Sequence, residues 1–179
     1  PFTEGRSYGF FGVYDLESDG LSEFLVMADF CKHVDVLGYR QGKLSVLWQR
    51  EIELDISNPQ KIMRVNPRPA ADVDGDGRLE VLVCVYNDAG DQRWQLTVYE
   101  GMTGAVKAVL PDQYLQGVHD LDADGVHELL TTTSSTAGVP TSGTLRVWSL
   151  RGGAQSVLWE MPDAAWVTWT PPSPLNANN

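Results

Sequence analysis

Basic residues are scarce in this sequence: 13 Lys and Arg stand against 24 Asp and Glu, leaving a formal charge of −11 over 179 residues. A chain so short of cations has little with which to neutralise phosphates, which argues against nucleic acid or an anionic membrane surface as partner. Cysteine is nearly absent too. Cys31 and Cys84 are too few for a disulfide framework and match no zinc spacing. Cys84, inside the apolar run Val81 to Tyr86, reads as a small core residue. No stretch approaches the roughly 20 uninterrupted apolar residues of a membrane-spanning helix, and no segment carries a helical period of apolar residues. What remains, 42% hydrophobic and 21% charged, is the composition of a globular domain able to bury one sizeable core. The chain opens at Pro1 with neither an initiator Met nor a signal-like segment, as expected of a processed chain or a piece of a longer one.

The organising feature is a repeat. One acidic pattern, D-x-[D/E]-x-D-G-x-x-E, begins at Asp15, Asp72 and Asp120. After each copy comes a β-rich apolar run: Glu23 to Met27, Glu80 to Tyr86, and Glu128 to Thr132. A second β-rich segment follows, starting at Val36, Val98 and Val147, and six residues after each valine stands a glycine (Gly42, Gly104, Gly153) suited to a tight hairpin. Beyond the glycine two units nearly spell the same word, Ser45-Val46-Leu47-Trp48-Gln49 and Ser156-Val157-Leu158-Trp159-Glu160. Counting the strand that leads into each loop, every unit has four short strands. The expectation is therefore an all-β β-propeller of four-stranded antiparallel blades, about three of them, over residues 8–60, 66–111 and 114–162. Three blades are too few to close a ring, so further blades of a larger propeller are expected, and 163–179 reads as the start of another blade or a tail.

Twelve of the 24 acids lie in the three loops. Short clusters of this kind repel themselves without a counter-cation, and three divalent ions would bring −11 to −5. Calcium takes six to eight oxygen ligands from carboxylates, carbonyls and water, and alternating acids on a tight turn supply them. The expected ligands are Asp15, Glu17, Asp19, the Leu21 carbonyl and Glu23 in the first loop; Asp72, Asp74, Asp76, the Arg78 carbonyl and Glu80 in the second; and Asp120, Asp122, Asp124, the Val126 carbonyl and Glu128 in the third. A helix-loop-helix calcium hand would close with Glu at the twelfth position, where Val26, Val83 and Thr131 stand instead. Magnesium keeps stricter geometry and more water, and the loops offer no thiol or repeated imidazole for a transition metal. The first loop is expected to bind most weakly, because Glu17 is longer than Asp and Ser18 stands where the middle loop has Gly75. Up to three calcium ions are expected, in a structural role that couples binding to folding.

These motifs, Asp72-Val73-Asp74-Gly75-Asp76-Gly77-Arg78-Leu79-Glu80 and Asp120-Leu121-Asp122-Ala123-Asp124-Gly125, with Phe11-Gly12 ahead of Asp15-Leu16-Glu17-Ser18-Asp19-Gly20, resemble the FG-GAP or VCBS repeats, the calcium-binding blades of integrin α-subunit propellers and many secreted bacterial proteins. The resemblance implies an extracellular, periplasmic or cell-surface location and a role in adhesion or recognition.

Function follows from fold only by analogy. The leading expectation is a non-enzymatic interaction module that presents its loops to a protein or carbohydrate partner. The alternative is a fragment, catalytic or not, of a secreted polysaccharide-degrading enzyme of the propeller-lyase kind. His33, His119 and His127 show no recurring catalytic pattern; the last two flank the third loop and read as supporting or surface residues. Trp48 and Trp159 recur in equivalent strands, which favours blade packing, whereas Trp94, Trp166 and Trp169 are candidates for a binding face.

Overall fold

The structure, a computed structural model, describes residues 8–28, 32–53, 63–64 and 69–165. The first sheet is an antiparallel meander of β1 (Tyr8–Tyr14), β2 (Glu23–Ala28), β3 (His33–Arg40) and β4 (Lys43–Glu51). The second runs β5 (Met63–Arg64), β6 (Ala70–Ala71), β7 (Glu80–Tyr86), β8 (Trp94–Glu100) and β9 (Val106–Pro111). The third is β10 (Tyr114–His119), β11 (Glu128–Thr132), β12 (Ser142–Ser149) and β13 (Ser156–Ala165). In the middle sheet β5 and β6 both pair with β7, in the place of the first strand. Pro69, just ahead of β6, has no N–H to give the ladder, but its carbonyl accepts from Leu82 N at 2.9 Å. The only helix among the described residues is a single 3₁₀ turn at Arg151–Gly153.

Three antiparallel four-stranded units are thus present in the order the repeat predicts. The third sheet runs past the expected boundary at residue 162, because β13 keeps pairing with β12 as far as Ala165 opposite Ser142. Residues 166–179, nearly all of the segment expected to start another blade or form a tail, lie outside the described residues with Trp166 and Trp169 among them, as does Cys31.

The sheets pack face to face. Alternate residues of a strand point to opposite faces, and β7 uses both: Val81, Val83 and Val85 join Leu25, Met27, Val34, Val36 and Trp48 of the first sheet. Leu82, Cys84 and Tyr86 join Tyr114, Leu115, Val118 and Leu129 of the third. This double burial is why β7 is a continuous apolar run, with every position buried. Cys84 is the core thiol expected, and burial pushes its pKa up to about 12.

Trp94 is not on a binding face. It is fully buried, edge-on to Tyr114 at 4.8 Å between ring centres, and its Nε1–H donates to the Thr136 carbonyl at 2.8 Å. The strand that carries it is covered on both sides, which the unit sequence alone does not reveal. The other tryptophan pair divides. Trp48 is 6% exposed, lying on the Gly101–Gly104 turn of the second sheet, with Nε1–H donating to Gly101 O at 2.7 Å. A Cβ on Gly104 would sit 2.6 Å from the indole, and the residue's φ of +65° is a second reason for glycine there. Trp159 stands opposite Val147 as Trp48 stands opposite Val36, yet it is 48% exposed, because β13 lies in the last sheet. Replacing Trp48 by Ala is therefore expected to cost about 3 to 5 kcal/mol in urea denaturation. Trp159→Ala in the same chain should cost about 0.5 kcal/mol; equal losses would contradict this packing order.

Candidate metal-binding loops

Each acidic loop connects the first and second strands of its sheet, and its nine positions are occupied by residues 15–23, 72–80 and 120–128. The first aspartate is an acceptor for the turn. Asp15 takes the N–H groups of Asp19 and Gly20 at 3.0 and 2.9 Å. Asp72 takes those of Gly75 and Gly77 at 2.7 and 2.9 Å, and Asp120 those of Asp124 and Gly125 at 3.1 and 3.0 Å. These are Asx-type turns, the local structure Asp favours. The sixth position is glycine each time, with φ of 83°, 84° and 90°. The fourth is also left-handed in all three, so Ser18 and Ala123 hold strained backbone that Gly75 adopts freely.

The ninth position ties the loop to the sheet. Glu23, Glu80 and Glu128 start β2, β7 and β11 and are buried. Each turns one carboxylate oxygen back to the N–H of the second loop residue: Leu16 at 3.1 Å, Val73 at 3.0 Å and Leu121 at 2.9 Å. A buried carboxylate must be hydrogen-bonded to be tolerated, and this bond satisfies one oxygen while fixing the loop's entry.

The fifth-position aspartates each give one oxygen to the loop's own backbone. Asp19, Asp76 and Asp124 are exposed, and each gives Oδ1 to the N–H of the residue two further on: Leu21, Arg78 and Val126, at 2.8, 2.9 and 2.9 Å. What the fold does bring together are carboxylate oxygens of Asp72, Asp74 and Glu80, and likewise of Asp120, Asp122 and Glu128, all within 4.8 Å of one another in each group. Among the described residues the first loop assembles no such group; Glu17 is exposed there. Oxygen-only donor sets of this kind fit a hard dication, calcium first among them.

Neighbouring loops are joined by hydrogen bonds, mostly of the main chain. Leu79 N–H donates to Leu16 O at 3.0 Å, and Ser18 Oγ donates to Gly77 O at 3.1 Å. His127 N–H donates to Asp72 O at 2.8 Å, so this histidine supports the joint between the second and third loops, whereas His119 is exposed.

Each loop is also reached by a cation that the acidic motif does not contain. Arg40 bonds the free oxygen of Glu23, and Arg151 bonds Asp124. Both arginines stand four residues after the valine that marks the second strand of the repeat (Val36, Val147), a recurrence that could have been found by aligning the units; the middle unit has Met102 there. The second loop instead receives Lys107, whose Nζ lies 2.6 Å from Asp74, 3.0 Å from Asp76 and 2.7 Å from Glu80. Burial works against this ammonium, but its bonds to the three carboxylates hold its pKa above the ordinary value. For Asp76, burial likewise pushes upward and is outweighed by the Arg78 N–H and Lys107, which leave its carboxyl below the usual range. In the second loop the carboxylates are thus tied to the backbone and to one ammonium, which holds the loop's shape and charge.

At the end of the sheets remote from these loops, an open cleft of about 530 Å³ is lined by hydroxyls and one ion pair, among them Thr133, Ser134, Thr136, Arg93 and Asp112. Arg93 and Asp112 meet at 2.5 Å.

No protein-family model and no curated protein matches the sequence. Solved structures do. The chain is similar to the rhamnogalacturonan lyase PL11 of Bacillus licheniformis, with TM-score 0.60 and 20% identity over 88% of this chain and 35% of that one. It is similar also to rhamnogalacturonan lyase YesW (TM-score 0.57, 21% identity, covering 90% of this chain and 36% of that one) and to the exotype rhamnogalacturonan lyase YesX (0.53, 18%, covering 87% and 33%). At this identity the likeness is one of fold. The chain spans about a third of the length of these enzymes.

Proposed function

We propose that this chain is a calcium-organised run of β-propeller blades belonging to a secreted polysaccharide-degrading enzyme, with rhamnogalacturonan-type pectin as the substrate class. This favours the lyase alternative over the adhesion module that the FG-GAP or VCBS resemblance suggests. The observation that carries it is the common fold with three rhamnogalacturonan lyases over 87 to 90% of the chain. The exposed outer face of β13 supports the larger propeller, since it repeats the strand that seats Trp48 against a following blade. An extracellular or periplasmic location accompanies this reading, because both the polymer and calcium at useful concentration are found there.

In this reading Asp120, Asp122 and Glu128 hold the ion. Among the described residues no side-chain cation reaches any of the three, although Arg151 bonds Asp124 beside them. The ion's role is structural: it offsets the repulsion of the loop's carboxylates and so adds its binding free energy to that of folding.

Two outcomes are expected. Incubating the protein that carries this chain with rhamnogalacturonan should generate unsaturated uronate ends, the product of β-elimination, detected by their ultraviolet absorbance; polymer that stays intact, with no new chromophore, would remove the lyase assignment. In thermal denaturation, chelator should lower the midpoint by several degrees and millimolar calcium should restore it. Asp122→Asn should abolish that difference, and a midpoint indifferent to chelator in the unmodified chain would count against calcium.

A further inference from the structure

The fourth strand of each sheet carries an irregularity at one repeat position. Pairing passes from Val36↔Trp48 to Leu37↔Val46, from Val98↔Ala108 to Tyr99↔Val106, and from Val147↔Trp159 to Trp148↔Val157. One residue is left over in each case: Leu47, Lys107 and Leu158. A bulge of this kind re-aims the extra side chain out of the regular alternation. In the first and last sheets the re-aimed residue is an exposed leucine. Only in the middle sheet is it a lysine, and there its ammonium enters the acidic loop of its own sheet.

The middle loop also differs in what it must neutralise. Glu80 stands directly opposite Glu100 across β7 and β8, whereas the equivalent partner of Glu23 is Gly38. Like charges facing each other in a ladder are destabilising, and this acid is additional to the loop's own four. The hairpin arginine that serves the first and third units is replaced by Met102. Lys107 supplies the missing charge. Its three hydrogen bonds, to Asp74, Asp76 and Glu80, use all the donors an ammonium has. Two of the acids it holds, Asp74 and Glu80, belong to the oxygen group that would otherwise surround a metal.

We propose that Lys107 is the resident cation of the middle loop, standing where the third loop takes a divalent ion, so that the middle loop is closed by the chain itself and excludes calcium. The inference rests on the calcium reading of the third loop. It gives adjacent, geometrically similar loops two different dependences on the medium: one set by dissolved calcium, the other independent of it.

Calcium titration calorimetry on the full chain tests it by counting ions. Lys107→Met is expected to bind one ion more than the unmodified chain, because the freed carboxylates then need a counter-charge. Asp74→Asn, which keeps Lys107 bonded to Asp76 and Glu80, is expected to bind the same number as the unmodified chain. A Lys107→Met variant with no additional ion, or an Asp74→Asn variant that loses one, overturns the proposal; the second decides the matter if the first does not fold. Asp122→Asn serves as the control on the other reading. An unchanged count there removes calcium from the third loop, while the difference between Lys107→Met and the unmodified chain still decides the role of Lys107.

Discussion

A buried carboxylate at the start of the second strand, bonded back to the N–H seven residues earlier, is the contact on which each unit depends. Glu23, Glu80 and Glu128 all make it. It turns a flexible acidic turn into a closed ring of main chain and side chain, sets where the second strand begins, and places the apolar second loop residue. Leu16 and Val73 are thereby delivered into the cores between sheets. Leu121, the equivalent in the last sheet, is 60% exposed. The same bond that organises a loop thus also prepares the joint to the following sheet.

The cost of this arrangement is charge. Fixing a glutamate in the interior beside three other acids is unfavourable unless cations or N–H groups answer the oxygens. The three loops divide that task differently. Backbone N–H groups answer the first and fifth positions in all of them, and arginine from the hairpin assists the first and third. A bulged lysine serves the second, and the third keeps a compact oxygen group suited to calcium. Repeats that share a backbone need not share a counter-ion.

Much of this was legible in the amino-acid sequence because it depends on local chemistry. The recurring Asp, Gly and Glu offsets identify the loops, and the strands follow from β-rich runs bounded by turns. Gly42, Gly104 and Gly153 lie in hairpins with φ of 78°, 65° and 79°. What stayed hidden depends on register and on order in the stack. Lys107 reads as an ordinary outward residue of a strand until the bulge is known. Trp94 is buried and Trp159 is half exposed because one lies in a sheet covered on both faces and the other in a sheet with an open side. Neither property is written in the unit repeat. Both arise only when the units are placed side by side.

Amide hydrogen exchange at Leu16, Val73 and Leu121 tests the central contact most directly. The account predicts that these three loop amides are protected to the degree of the strand amides beside them and lose that protection when the matching glutamate is replaced by alanine. Exchange as fast as that of the exposed residues around them would contradict it.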